Sequence, residues 1–143
     1  MTDFILRDFL PYQMVVAANR ISDRFSDSYR ERFGITVSEW RVIAHLSQGD
    51  GLSIREIYRK VEMDKSKASR AAARLVKAGY VRKKVNPADR RLVELSLTDK
   101  GRAMMAEIGP MSEAFEKEVL ALLPEAERAP FLSAIRRLME HYT

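Results

Sequence analysis

From residue 3 to residue 33 apolar side chains return every three or four positions: Leu6, Leu10, Met14, Ala17, Ile21, Phe25 and Tyr29. That spacing is one face of a helix. Pro11 either opens the helix in its first turn or kinks it, and Gly34 is suited to end it. Thr36-Val-Ser-Glu39 is a capping box, a hydroxyl with a carboxylate three residues on. It predicts a second helix over about 37–47, with Trp40, Ile43, Ala44, His45 and Leu46 facing inward. Residues 48–51 form a turn. Ser53-Ile-Arg-Glu56 is a second capping box, for a short helix to about Val61 carrying Ile54, Ile57 and Tyr58 on one face. Asp64 is a good N-cap for a fourth helix over about 65–78. Its apolar positions are Ala68, Ala71, Ala72, Leu75 and Val76, small enough for close packing, and Gly79 stops it.

The period then changes. V-R-K-K-V (81–85) and L-V-E-L-S-L-T (92–98) alternate as strands do, and N-P-A-D-R-R (86–91) lies between them. Asn-Pro favours a turn, so residues 80–97 read as a hairpin. Thr98-Asp-Lys-Gly101 opens a long helix that keeps Met104, Ile108, Met111, Phe115, Val119 and Leu122 on one stripe across Pro110, where a bend is expected. Pro124 starts a last helix with Phe131, Leu132, Ile135, Leu138, Met139 and Tyr142 as its apolar face, and Pro130 is a place where it would divide. The pattern predicts a mostly α chain with a small β-hairpin wing: a winged helix-turn-helix between N- and C-terminal helices. The expected segments are 1–35, 36–98 and 99–143, packed as one structural unit. The long flanking stripes would leave much apolar surface exposed on a monomer, which points to a homodimer.

Composition narrows the chemistry. With 143 residues and 46% hydrophobic content, the chain affords one core. No apolar run reaches the roughly 18 residues of a membrane span. The first residues lack a leader pattern, so a cytoplasmic address is expected. There is no cysteine, which removes disulfides, thiolate nucleophiles and cysteine-based redox sensing or metal binding. The two histidines, His45 and His141, are far apart and fit no metal-ligand spacing. No phosphate loop, nucleophile elbow or spaced carboxylate pair stands out. Neither catalysis nor a cofactor is expected.

The net charge of +5 is unevenly spread. Residues 55–91 hold 13 Lys/Arg against 4 Asp/Glu, and the rest of the chain holds 12 against 16. A basic centre within acidic flanks is the footprint of a nucleic-acid-binding module. A helix fits the major groove of B-DNA with its N-terminal residues at the base edges; here those are Lys65, Ser66, Lys67, Ser69 and Arg70, with Arg74 further along the same exposed face. Arg55, with Arg59 and Lys60, is expected to lie across the backbone. Lys84 on the first strand, and Arg90 and Arg91 at the hairpin tip, complete the set. A thin tip carrying an arginine suits a narrow minor groove, and Asp89 is placed to pair with an arginine and fix its direction. The alternatives are a winged-helix protein–protein adaptor or a nonspecific DNA-binding protein. The Ser, Lys and Arg face of 65–77 favours DNA over an adaptor.

Residues 63–101, with G-I-T-V-S-E-W-R-V-I-A-H-L (34–46) and L-S-I-R-E-I (52–57) upstream, resemble the MarR family of bacterial transcription regulators. The sharpest likeness is the D-x-R wing, Asp89-Arg90-Arg91, followed by L-T-x-x-G at Leu97–Gly101. The resemblance implies an intertwined homodimer reading a pseudo-palindromic operator on double-stranded DNA. It further implies repression of its own or a neighbouring operon and release by a small aromatic or anionic effector. Arg91 falls on the usual wing contact and Arg90 is extra. The family's pocket, carried over, points to Tyr12, Arg20, Trp40, Arg41, His45, Met104 and Ile108.

Overall fold

The computed structural model describes residues 3–49, 51–89, 91 and 93–143. Among them run six α-helices and three strands: α1 (Leu10–Phe33), α2 (Val37–Ser47), β1 (Leu52–Ser53), α3 (Ile54–Lys60), α4 (Lys65–Lys77), β2 (Val81–Val85), β3 (Val93–Leu97), α5 (Asp99–Leu120) and α6 (Glu125–His141). The expected class, mostly α with a small antiparallel sheet, is what forms. The described residues make two compact units, one ending at Gly109 and one starting at Pro110. The first turns of α5, where Gly101, Met104 and Ile108 are buried, fall within the first unit.

The first helix is shorter than its stripe. A single 3-10 turn, Leu6–Asp8, precedes it, and α1 begins with Pro11 in its first turn, where the missing N–H has no intrahelical partner to lose. Gly34 closes it at φ 70°, its N–H donating to the Arg30 carbonyl at 2.8 Å. All three predicted caps form. Thr36, Ser53 and Asp64 accept from the backbone N–H groups of Glu39, Glu56 and Lys67 at 3.2, 3.1 and 2.8 Å. Pro130 does not divide α6; the bond it forfeits is to the Ala126 carbonyl on an exposed turn, which water can solvate. Pro110 lies inside α5.

In the first unit, Phe25 and Tyr29 of α1 are buried with Val42, Ile43 and Leu46 of α2, Ile57 of α3, and Ala68, Ala71, Ala72 and Leu75 of α4. The inward stripe of α2 runs Glu39, Val42, Ile43, Leu46. Trp40, Ala44 and His45, expected to point in, are half-buried. On α3 only Ile57 is buried. The hairpin forms with Lys84 opposite Glu94 and Val85 opposite Val93. β1 adds a third strand on the other side of β3, pairing Leu52 with Leu95, and the sheet order is β1-β3-β2.

The joint between the sheet and α5 explains the L-T-x-x-G pattern. Thr98 Oγ1 donates to the Gly79 carbonyl at 2.6 Å and accepts from the Gly101 N–H at 3.1 Å. A Cβ on Gly101 would lie 2.1 Å from the Tyr80 carbonyl oxygen, so this position needs a residue without one. In the second unit α6 has no buried residue, and Leu122, Met139 and Tyr142 are exposed. Among the described residues no helix is long and apolar enough to cross a membrane.

Candidate nucleic-acid interface

The helix pair α3–α4 is joined by residues 61–64, where Glu62 takes a left-handed φ of 52°. The buried alanines hold α4 chiefly against α2. The opposite face is left to solvent. Lys65, Ser66, Lys67 and Arg70 are exposed, and Ser69 is half-buried. Asp64 caps the helix, so its N-terminal turn is fixed while these side chains stay free to reach outward.

Three of the predicted cations converge on one cleft. Arg55 from α3, Lys65 from α4 and Arg91 from the wing border a depression of about 410 Å³, together with Ser53, Glu56 and Tyr58. The Lys65 ammonium stands 5.8 Å from the centroid of the Tyr58 ring, a cation–π contact that orients it. Tyr58 was assigned to an apolar face by its spacing. Its role beside Lys65 had no signal in the sequence, because it depends on how α3 meets α4.

The wing tip is built as the sequence suggested. The Asp89 carboxylate accepts from Arg91 three times: from its backbone N–H at 3.1 Å, Nε at 3.1 Å and an Nη at 3.3 Å. The Asn86 side chain accepts from the Ala88 N–H at 2.9 Å, which turns the chain just before. The Arg91 side chain is 89% exposed, so it is aimed by Asp89 and still available to a partner. The Arg91 hydrogen bonds hold the Asp89 carboxyl below its ordinary value of 3.8, and the brace is charged at neutral pH. Arg90 lies outside the described residues. Lys84 is exposed on β2.

One predicted cation is engaged inside the protein. Arg74 Nε donates to Glu39 Oε1 at 3.0 Å, with the Glu39 side chain only 9% exposed. The Arg74 side chain is itself 49% exposed, so its guanidinium is paired at the surface beside a nearly buried carboxylate.

The residues expected to form a small-molecule pocket lie in different settings among the described residues. Trp40 stacks on Tyr29, centroids 5.5 Å apart at 27°, and meets the edge of Phe25 at 5.7 Å. Arg41 and His45 lie half-buried on α2, and Tyr12 and Arg20 are exposed on α1. Met104 and Ile108 are core residues. Met104 also borders a depression of about 500 Å³ with Phe33, Tyr80, Lys100, Ala106 and Glu107, a different set from the predicted one. Burial and the charge of Lys60 lower the His45 pKa from 6.5. The Tyr29 hydroxyl is buried with no hydrogen-bond partner among the described residues, and burial pushes its pKa up to about 12. Sequence spacing marked Tyr29 only as part of the α1 stripe.

Comparison with known proteins decides the family. The sequence model described as the MarR family matches residues 33–92, from the end of α1 through β2 and up to the start of β3. The chain belongs to the MarR family of transcriptional regulators. It is similar to the transcriptional repressor MdtR of Bacillus subtilis (strain 168), 31% identical over 97 residues; the match covers 68% of this chain and 63% of that relative's length. The fold matches a MarR/EmrR-family regulator from Acinetobacter sp. ADP1, with TM-score 0.82, 25% identity and coverage of 96% of this chain and 97% of the other. It also matches the PcaV regulator of Streptomyces coelicolor, solved in complex with its natural ligand, with TM-score 0.74, 25% identity and 98% coverage of both chains. As a MarR-type winged-helix protein, the chain is a DNA-binding transcriptional regulator.

Proposed function

We propose that this chain is a sequence-specific regulator that binds a pseudo-palindromic operator as a homodimer and represses its own or a neighbouring operon. The observation that carries the reading is the convergence of Arg55, Lys65 and Arg91, from three separate elements, on one cleft beside the exposed N-terminus of α4. Lys65, Ser66, Lys67, Ser69 and Arg70 read base edges. Arg55 and Lys84 hold phosphates, and Arg91, braced by Asp89, enters the minor groove with Arg90 beside it. The kinship with the repressor MdtR supports the sign of regulation.

Exposed apolar side chains near the start of the chain, including Phe4, Ile5, Leu6, Leu10 and Val15, support a second copy as their cover. A small aromatic or anionic effector acts through Tyr12, Arg20, Trp40, Arg41, His45, Met104 and Ile108. The half-buried Trp40 and Arg41, and the ligand bound by the related PcaV, support that part. The test is enrichment of random duplexes on the purified protein. An enriched inverted repeat with half-sites about one helical turn apart supports a dimeric operator reader. Enrichment without any motif would leave only a nonspecific basic surface.

A further inference from the structure

We propose that Glu39 is a positioning residue for the recognition helix: its carboxylate holds Arg74, and the pair pins α4 to the cap of α2, so that the half-exposed Arg74 serves to fix the helix and does not grip DNA. The proposal rests on the reading of α4 as the DNA-reading helix.

Glu39 is fixed before Arg74 meets it. Its backbone N–H donates to Thr36 Oγ1 at 3.2 Å, and that hydroxyl donates to Glu39 Oε1 at 3.1 Å. Arg74 Nε reaches the same oxygen at 3.0 Å. The capping box that starts α2 thus also anchors a residue 35 positions later. The Glu39 side chain is 9% exposed, and the arginine is the ion-pair partner the structure gives it. Without Arg74 a nearly buried carboxylate would lack its countercharge, a costly arrangement.

The packing shows why such a pin is needed. α4 packs most extensively against α2, and its buried residues are Ala68, Ala71, Ala72 and Leu75. Alanines allow close approach but project little, so they resist sliding along the helix axis poorly compared with larger interlocking side chains. A directed, charge-assisted hydrogen bond supplies the register that small side chains leave loose. Arg74 is also nine residues beyond Lys65, roughly 13 Å along the helix axis, away from the N-terminal turn that reaches base edges.

The experiment compares wild type, Glu39→Gln, Arg74→Ala, the Glu39→Gln/Arg74→Ala double variant, Arg74→Lys and Arg91→Ala on the enriched duplex at several salt concentrations. Thermal melts of each variant accompany it. Glu39→Gln keeps size and removes the charge. If the pair is a brace, Glu39→Gln and Arg74→Ala each weaken specific binding several-fold. The double variant is then little worse than either single one, and the salt slope stays at the wild-type value. Arg74→Lys, which loses the directed Nε–H, falls with Arg74→Ala. If Arg74 instead grips phosphate, Glu39→Gln binds as tightly as wild type or tighter, and Arg74→Ala lowers the slope by about one per half-site. That result overturns the proposal.

Hydrogen exchange on the free protein gives a second readout, independent of DNA. Glu39→Gln should speed exchange of α4 amides by about tenfold relative to those of α5. Unchanged α4 exchange would overturn the brace. Failure of wild type to select any duplex would instead overturn the DNA-reading assignment, leaving the exchange result to judge the brace.

Discussion

At the scale of single residues the wing arginine is the sharpest test of where DNA lies. Arg91 is 89% exposed and aimed by three hydrogen bonds to Asp89, so its position depends little on the rest of the chain. Arg91→Ala should weaken operator binding by about 1–3 kcal/mol and reduce the salt slope by about one per half-site; titrations at several salt concentrations check both. His45 gives a prediction about pH. Its pKa is lowered from 6.5, by burial first and the Lys60 charge second, so the unfolded chain takes up the proton more readily than the folded one. The contribution of neutral His45 is therefore complete above 6.5 and is lost as pH falls through 6.5 toward the lower folded value. Melting wild type and His45→Gln at about pH 7.5 and about pH 5.5 should show the larger loss on acidification in wild type.

At the scale of elements the joint between Gly79 and Gly101 fixes how α5 leaves the winged domain. Gly101→Ala would drive a methyl into the Tyr80 carbonyl, and the backbone must shift. A loss of about 1–3 kcal/mol in chemical denaturation is expected, the usual cost of overpacking a tight site. Much of this level was legible in the sequence, because caps and stripes are local. Thr36, Ser53 and Asp64 announced their helices, and the alanine stripe of α4 announced its inner face. What stayed hidden depends on partners distant in sequence. β1 is two residues long and exists only because Leu52 and Ser53 meet β3. The inner stripe of α2 was masked because its first member is Glu39, a carboxylate buried by virtue of Thr36 and Arg74. For the same reason nothing in the sequence signalled that the exposed Arg74 is paired with Glu39, 35 positions earlier. Tyr58 and Arg55 gave no sign that Arg91 would share their cleft, since that needs the sheet to fold beside α3.

At the scale of the whole molecule a basic winged domain shares the chain with helices that expose apolar side chains. Phe4 is 72% exposed, Leu122 83% and Tyr142 80%, apolar side chains that a second copy would cover. Sedimentation across a range of concentrations should show a stable dimer at micromolar protein; a monomer throughout would remove the second copy from the account. The central claim is that this chain reads sequence and does not merely attract phosphate. It is tested most directly by fluorescence anisotropy on the enriched duplex against a scrambled duplex of the same composition, at several salt concentrations. The account predicts that the enriched duplex binds tighter by a factor of ~10³ or more at physiological salt, with two chains per duplex. Equal binding to both duplexes, fading together as salt rises, would contradict it.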